Sequence, residues 1–322
     1  MTTKIYPRFV KLPTGEYLKE VLDMYAAVGL PGCVGGMDCT HIKWSQCPKK
    51  RKFHARGKEA YPSLAFQVVV DHNRRVISVS QSFFGSLNDK TISQNDLFSL
   101  GILHGSLQNV EFELYDDFGK KYKCMGGYVI VDGGYIDHIY FIDPDKHRLH
   151  RQAVLWSEWV ESIRKDVECF FGILKCRWRF FRNGVAYHSR TDIEKAFKTA
   201  CVLNNMVLLF DGLSGFNSKV WENVQWDNLD PEGIDDNDED EANVQKINME
   251  ISVDDVTDLE ESIDTSISTS VTAVNEVTIF HYDSPKRELK QALQQSFVVQ
   301  WIKQQLQWPK SFDDVIRVVD NN

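Results

Sequence analysis

The 322-residue sequence contains no apolar run long enough to cross a membrane. It also lacks the charged-then-apolar N-terminal pattern of a secretory signal peptide. Its seven cysteines, an odd number without paired CxxC spacing, predict reduced thiols in an intracellular protein. Cys33, Cys39 and His41 could join a zinc site, but no second CxxC supports this, and buried free thiols are the simpler interpretation.

The chain as a whole also lacks a surplus of basic residues, because its net charge is −9. The charge is unevenly distributed. Residues 1–226 carry 30 Lys and Arg against 24 Asp and Glu, a net of +6, whereas residues 227–322 carry 7 against 22, a net of −15. A basic globular part followed by an acidic tail is typical of proteins that act on nucleic acid.

Composition and periodicity predict four parts. Residues 1–30 form a helical lead-in, 31–226 an α/β domain, 227–272 an acidic linker and 273–322 a helical segment. The linker is rich in Ser and Thr and poor in aromatic residues, so we expect it to be disordered. A solvated linker is the simpler interpretation, and autoinhibition by acids that mimic DNA over the basic part is the alternative.

Three helices are predicted outside the candidate site. The first, Thr14–Val28, is bounded by Thr14 and Gly29. The second runs over Asp192–Leu209, and the third is indicated by apolar residues spaced by four, Leu289, Leu293, Phe297 and Trp301. We expect the third helix to pack onto its own domain rather than onto a partner.

A predicted hairpin forms the middle of the sheet. Leu64–Asp71 and Arg75–Phe84 are joined by a turn-rich connection, and the alternation in the second strand predicts a sheet with one buried face. A short helix beginning at Asn88 or Asp89 follows, and residues 100–125 show no regular pattern.

Two acids lie in or directly after predicted strands. Asp38 falls in Met37–Lys43, where a buried carboxylate is costly unless it is paired or binds a metal. Asp132 follows Tyr128–Val131, a continuous apolar run typical of a fully buried strand. The carboxyl ends of such strands are where α/β sheets place their sites. A turn-forming Asp before Gly133 explains Asp132 equally well.

Glu168 lies on a helix predicted over Ile163–Arg182. Helical spacing places it on one face with Arg164, Lys175 and Arg179. Taken alone, this pattern favours a solvated face with an i,i+4 ion pair between Arg164 and Glu168. The alternative is a carboxylate that holds a metal among cations that hold phosphates.

The segment CPKKRKFHARGK (47–58) is strongly basic, with Phe53 and His54 among its cations. A nuclear-localisation signal, a phosphate-contacting patch and a solvated loop are equally supported. The predicted DNA contacts combine this run with the cations around Glu168: Lys49, Lys50, Arg51, Lys52, Arg164, Lys175, Arg177 and Arg179.

Four ordered blocks, GGMDCTH, SFFGSLNDKTI, YVIVDGGYIDHIYFI and RKDVECFFGILKCRW, resemble the signature blocks of PIF/Harbinger transposases and the nucleases derived from them. The resemblance covers roughly residues 15–212 and is strongest to the plant transposon protein type. It implies an RNase H-like fold, a mixed sheet flanked by helices. The order of predicted elements agrees with it: a first strand with an acid, two antiparallel strands, a strand ending in an acid and a late helix with an acid.

The resemblance also implies a DDE endonuclease, whose three metal-holding acids match Asp38, Asp132 and Glu168. Mutually repelling carboxylates need divalent cations between them, and oxygen ligands suit Mg²⁺ or Mn²⁺. Asp89 matches a recurrent acid that we interpret as a support residue. The implied partners are DNA, a Myb-like DNA-binding protein and a second copy as a homodimer, with no membrane; the implied location is the nucleus.

The sequence departs from the family in three respects. No helix-turn-helix-like segment precedes the predicted nuclease, Cys169 replaces a common Arg after the catalytic Glu, and a Leu-His-Asn-Met motif reads Leu203 to Met206 as LNNM. Two hypotheses follow: a metal-dependent DNA endonuclease, or a domesticated DNA- or chromatin-binding protein that keeps the fold without cleavage. The three intact acids favour the first.

Overall fold

Ten strands and nine α-helices are found in the part of the chain that the computed structural model describes, which is residues 5–145, 151–211, 273–274, 277–280, 286–303 and 306. All of these residues belong to one compact unit. The strands are β1 (Cys33–Lys43), β2 (Ser63–Val70), β3 (Val76–Val79), β4 (Phe83–Phe84), β5 (Glu111–Tyr115), β6 (Lys121–Met125), β7 (Tyr128–Ile130), β8 (Phe141–Ile142), β9 (Ala273–Val274) and β10 (Val277–Ile279). The α-helices are α1 (Tyr6–Phe9), α2 (Gly15–Ala27), α3 (Lys52–Ala55), α4 (Asp89–Ser93), α5 (Leu97–Leu103), α6 (Arg151–Arg177), α7 (Arg179–Asn183), α8 (Arg190–Phe210) and α9 (Lys286–Ile302). A 3₁₀ turn at Lys49–Arg51 precedes α3.

A mixed sheet with the strand order β3-β2-β1-β7-β8 is the centre of the fold, and β4 also pairs with β2. The first three strands are antiparallel, whereas β7 joins β1 in parallel and β8 joins β7 in parallel. The predicted class, a mixed α/β fold with helices flanking a mixed sheet, is confirmed.

Strand β2 is buried along its whole length. Leu64, Phe66, Val68 and Val70 pack in a cluster with α6 and α8, whereas Val69 packs in a second cluster with α2. Alternate residues of a strand point to opposite faces. The expectation of a sheet with one buried face was therefore wrong, because helices cover both faces.

Two element boundaries differ from the sequence prediction. The strand predicted over Arg75–Phe84 divides into β3 and β4. Between them the Ser80 hydroxyl accepts from the Gln67 N–H of β2 at 2.9 Å, and the Ser82 hydroxyl donates to Glu194 Oε2 at 3.0 Å. The helix predicted over Ile163–Arg182 begins much earlier, at Arg151, and stops at Arg177. Trp178 leaves the helical region with φ −118° and ψ 80°, and the chain resumes as the short α7.

A second sheet, ordered β5-β6-β10-β9, comes from the stretch predicted to be irregular and from the C-terminal segment. Strand β10 pairs in parallel with β6, and α9 packs against β5 and α6. Phe297 on α9 contacts Trp156 and Trp159 on α6 at ring distances of 5.7 and 5.5 Å. The C-terminal elements are thus part of the core, and the predicted acidic linker, 227–272, lies outside the described residues.

All seven cysteines are free. Five are buried or half-buried and two, Cys169 and Cys176, are exposed on α6. Within the described residues, no helix has the length and apolar character needed to span a membrane.

Candidate active site at the central sheet

Asp38 and Asp132 are brought together by the parallel pairing of β1 with β7. Gly36 pairs with Ile130, and continuing that register by two residues places Asp38 beside Asp132 on the same face. The charge of Asp132 contributes to the raised pKa of Asp38, which agrees with this placement. The two acids predicted from separate strands therefore share one edge of the site.

Gly134 leaves room for the carboxylates around it. Its backbone N–H donates to Asp132 Oδ1. A Cβ at this position would lie 3.0 Å from Asp132 Oδ1 and 3.7 Å from Asp89 Oδ2. Asp89 and Asp132 therefore face the same glycine, and a Cβ there would be tight against Asp132 but in ordinary contact with Asp89.

Asp89 begins α4, where Asn88 caps the helix by accepting from the Thr91 N–H. Burial and the charge of Asp89 raise the pKa of the Cys39 thiol, and the Tyr135 hydroxyl donates to Cys39 Sγ at 3.5 Å. Sequence reasoning gave Asp89 a support role only. The sequence signal for a fixed Asp89 carboxylate was Asn88, a helix-capping residue type, directly before it in one of the family-like blocks.

Arg164 joins the first and third acids. From α6 its Nη1 donates to Asp38 Oδ2 at 2.9 Å and its Nη2 donates to Glu168 Oε1 at 2.8 Å. The Arg164 and Asp38 side chains are 16% and 18% exposed, whereas Glu168 is 45% exposed. Gly36 on β1 faces this part of α6, and a Cβ there would be in ordinary contact with the Arg164 carbonyl oxygen, at 3.9 Å.

The pKa of Asp38 is determined by burial and by the charged groups around it. Burial raises the pKa of Asp38 to about 6, against the opposing effects of Arg164 and of the Cys39 N–H, which donates to Asp38 Oδ1 at 2.7 Å. Asp89 and Asp132 raise it further by repulsion. Burial and the two neighbouring acids thus favour the protonated form of Asp38, whereas Arg164 favours the ionised form.

The side chains can be tested for their fit to a divalent metal. In the described part of the chain, no three His, Cys, Asp or Glu side chains converge closely enough to hold an ion as they stand. At Asp38 and Glu168 the Arg164 guanidinium lies between the two carboxylates. The donor chemistry fits, since Asp38, Asp89, Asp132 and Glu168 offer the hard oxygen atoms that Mg²⁺ prefers. Such an ion would replace the Arg164 guanidinium as the partner of Asp38 and Glu168.

The eight cations predicted to contact DNA fall into separate groups. Lys49, Lys50, Arg51 and Lys52 are exposed on the 3₁₀ turn and α3. Arg164 is part of the acidic cluster. Lys175 is half-buried, with its pKa lowered by burial, and Arg177 donates to Asn204 Oδ1 at 3.0 Å. Arg179 is exposed at the start of α7.

The geometry just described can be compared with known proteins. The sequence model of the family described as plant transposon protein matches residues 7–212, about two thirds of the chain. The chain belongs to the plant transposon protein family. Its origin is therefore that of a transposase, as the four signature blocks predicted.

One curated relative of this family member is "Protein ALP1-like" of Arabidopsis thaliana, which is 23% identical over 195 residues. The match covers 59% of this chain and 47% of the relative, so the chain spans about half the length of the curated relative. No solved structure matches the chain.

The departures from the family pattern have different structural consequences. Cys169 is exposed on α6, next to Glu168. Asn204, which stands in the place of the His in the LNNM motif, accepts from Arg177 Nη1 at 3.0 Å. The retained Asn205 accepts from the Val76 N–H at 2.8 Å and donates to the carbonyls of Val76 and Phe9, each at 2.8 Å. This motif ties α8 to β3 and to the end of α1, so its role here is structural.

Proposed function

We propose that this chain is a metal-dependent DNA endonuclease of the DDE type with an RNase H-like domain. The observation that carries the proposal is the position of three acids, from β1, the end of β7 and α6, near one cation. Arg164 bonds to Asp38 and Glu168, and the nearby charge of Asp132 also acts on the Arg164 guanidinium. The sheet has three antiparallel strands followed by two parallel ones, and an acid lies in β1, after β7 and on α6. This arrangement supports the RNase H-like assignment.

Asp38, Asp132 and Glu168 are the residues we assign to metal binding and catalysis, with Asp89 beside them. When bound, Mg²⁺ or Mn²⁺ supplies an activated water or 3′-hydroxyl and stabilises the leaving oxygen of an in-line displacement at phosphorus. The chain's own contribution is positional. The β1–β7 pairing and the Gly134 turn hold Asp132 beside Asp38, and Arg164 aligns Glu168 with Asp38.

The proposal extends to substrate, partners and location. Exposed Lys49, Lys50, Arg51, Lys52 and Arg179 contact DNA phosphates through sequence-independent, salt-sensitive interactions. The chain acts in the nucleus, with a Myb-like DNA-binding protein and a second copy of itself as partners. The exposure of the Lys49–Lys52 run supports both phosphate contact and recognition as a nuclear-localisation signal.

Nicking of supercoiled plasmid with Mg²⁺, Mn²⁺ or EDTA tests the activity. We expect metal-dependent nicking by the wild type and at least a hundredfold less by Asp132→Asn and Glu168→Gln, which remove ligand charge at nearly constant size. Glu113→Gln is the matched control, because Glu113 is an exposed acid on β5 paired with Lys121. Its nicking rate should equal that of the wild type.

DNA binding without nicking would contradict the proposal. If wild type and both site variants bind DNA alike and none nicks it, with or without a Myb-like partner, the chain is a DNA-binding protein without cleavage. Circular dichroism of each variant checks that the fold is retained.

A further inference from the structure

Phe53 is an apolar side chain displayed to solvent among cations. It is 84% exposed on α3, directly after the exposed run Lys49–Lys52. The equally exposed Phe118, at 95%, sits in the β5–β6 turn beside Asp116 and Asp117 instead. Of these two exposed rings, only Phe53 lies among positively charged side chains.

The support beneath Phe53 is tightly packed. Ala55 is buried, and the carbonyl of His54 accepts from both the Ser86 hydroxyl at 2.6 Å and the Ser86 N–H at 3.3 Å. The backbones of Gly57 and Gly85 approach so closely that a Cβ on Gly57 would lie 1.9 Å from the Gly85 carbonyl oxygen. This packing therefore fixes the backbone of the turn that carries the exposed ring of Phe53.

This support is also connected to the acidic site. Ser86, which anchors His54, lies three residues before Asp89, and Asp89 faces Gly134 together with Asp132. In addition, the turn follows the carboxyl end of β1, the strand that carries Asp38. The turn that carries Phe53 is thus connected to the chain segments that carry Asp38 and Asp89.

An aromatic row leads away from Phe53. The ring of His54 lies edge-on to Phe53 at 5.6 Å and 6.0 Å from Phe84. Phe84 in turn lies under the Arg190 guanidinium at 5.1 Å and lines a cavity of about 520 Å³ with Arg51 and Arg190. Glu194 also lines this cavity, but its carboxylate is engaged by Lys198 and Ser82.

We infer that Phe53, His54 and Phe84 form a stacking track for unpaired bases of DNA on the basic surface around Lys50 and Arg51. The inference rests on the proposed function, in that the chain must bind DNA. Aromatic side chains next to a basic, backbone-tracking surface are the combination with which proteins bind single-stranded nucleic acid, since every base has a face to stack. Lys50 and Arg51 contact the phosphates, and the rings contact the bases.

Fluorescence anisotropy in EDTA tests the inference without cleavage. The probes are a blunt duplex, the same duplex with a five-nucleotide 3′ overhang, and a copy whose overhang is abasic. We expect Phe53→Ala to lower affinity for the normal overhang about tenfold, the effect of losing roughly one stacked base, and to leave blunt-duplex affinity within about twofold. The abasic overhang should bind wild type and Phe53→Ala equally.

The control variants separate stacking from charge. Lys50→Ala should weaken binding of all three probes by a similar factor, Phe53→Trp should retain the overhang preference, and Phe118→Ala should resemble the wild type. Equal affinity of wild type and Phe53→Ala for the normal overhang would overturn the stacking track while leaving the nuclease proposal intact. No binding of any probe by the wild type would overturn both.

Discussion

Arg164 is the residue on which the charge balance of the site depends. Its guanidinium donates to Asp38 and Glu168 at 2.9 and 2.8 Å, and both carboxylates are proposed metal ligands. A guanidinium and a divalent cation therefore compete for the same oxygen atoms. Arginine supplies one positive charge at this position, whereas a metal ion supplies two.

Removing this competitor should strengthen metal binding. We expect Arg164→Ala to bind Mn²⁺ about tenfold more tightly than the wild type in calorimetric titrations, because the acids then lack their internal cation. The same variant should melt at a lower temperature in EDTA and gain more from added Mn²⁺ than the wild type does. A weaker Mn²⁺ affinity would show instead that the alignment of the acids by Arg164 outweighs its competition with the metal.

Gly134 offers a second prediction at the scale of one residue. A Cβ there would lie 3.0 Å from Asp132 Oδ1, so Gly134→Ala should displace this carboxylate and lower the nicking rate by about a hundredfold. Gly172→Ala is the control, because Gly172 is exposed in α6 with nothing within 4 Å of an added Cβ. That variant should keep its activity and gain about 1 kcal/mol of stability from helix propensity. Equal nicking rates for the two variants would contradict the assignment of Gly134.

At the scale of elements, α9 is tied to the central sheet through one buried acid. Asp143, just after β8, contacts Lys286 Nζ at 2.7 Å and Lys290 Nζ at 3.3 Å. Burial would raise the pKa of Asp143, but the hydrogen bond and charge of Lys286, together with Lys290, outweigh it and hold the pKa below its usual value. Asp137 also faces Lys286, at 3.8 Å, and is 91% exposed.

The sign of this shift sets the pH dependence. A lowered folded-state pKa stabilises the fold above the ordinary aspartate value near 3.9, and the stabilisation is lost as the pH falls through the folded-state pKa. We expect Asp143→Ala to cost about 3 kcal/mol at pH 7 by leaving two half-buried lysines without their acid. In urea unfolding, the difference from the wild type should shrink as the pH falls below the ordinary aspartate pKa. A difference independent of pH would contradict the ion-pair explanation.

The elements that the sequence predicted best are those with local signals. The capped helix α2, the apolar run of β7 and the stripe of α8 follow from neighbouring residues alone. The β5–β6 hairpin was missed, because only Phe112, Leu114 and Cys124 in it are buried and the rest of its pattern is polar. Contacts between distant segments were also out of reach: Arg164 and Asp38 are 126 residues apart, and the sequence suggested only the local pair with Glu168.

At the scale of the whole molecule, the family match and the folded core do not coincide. The match ends at residue 212, yet Phe280, Leu289, Leu293 and Phe297 are buried in the same cluster as Trp156 and Trp159. The secondary-structure positions of the acids were predictable, because Asp38 lies in a strand, Asp132 follows one and Glu168 lies on a helix with a clear pattern. Their assignment to a metal site stays a prediction. The involvement of the C-terminal segment in the core depends on pairing across more than 150 residues, between β6 and β10.

A chain that stops at residue 212 should therefore fail to form a cooperative fold. Without β10 and α9 it exposes Trp156, Trp159 and the edge of β6, and losing Phe297 alone costs about 3–5 kcal/mol. Calorimetry and near-ultraviolet circular dichroism should show no cooperative transition for this truncation, whereas Phe297→Ala should melt cooperatively at a lower temperature. An unchanged melting temperature in the truncated chain would refute this view.

The position of α9 also has a consequence for biosynthesis. Domains begin to fold from the N-terminus while the chain is still being made. Helix α9 begins more than a hundred residues after the end of α6, so the first half of α6 stays uncovered until α9 has been made. A message broken before that point yields a protein whose tryptophans remain accessible to chaperones and proteases. Synthesis through α9 thus becomes a condition for stable accumulation of this protein.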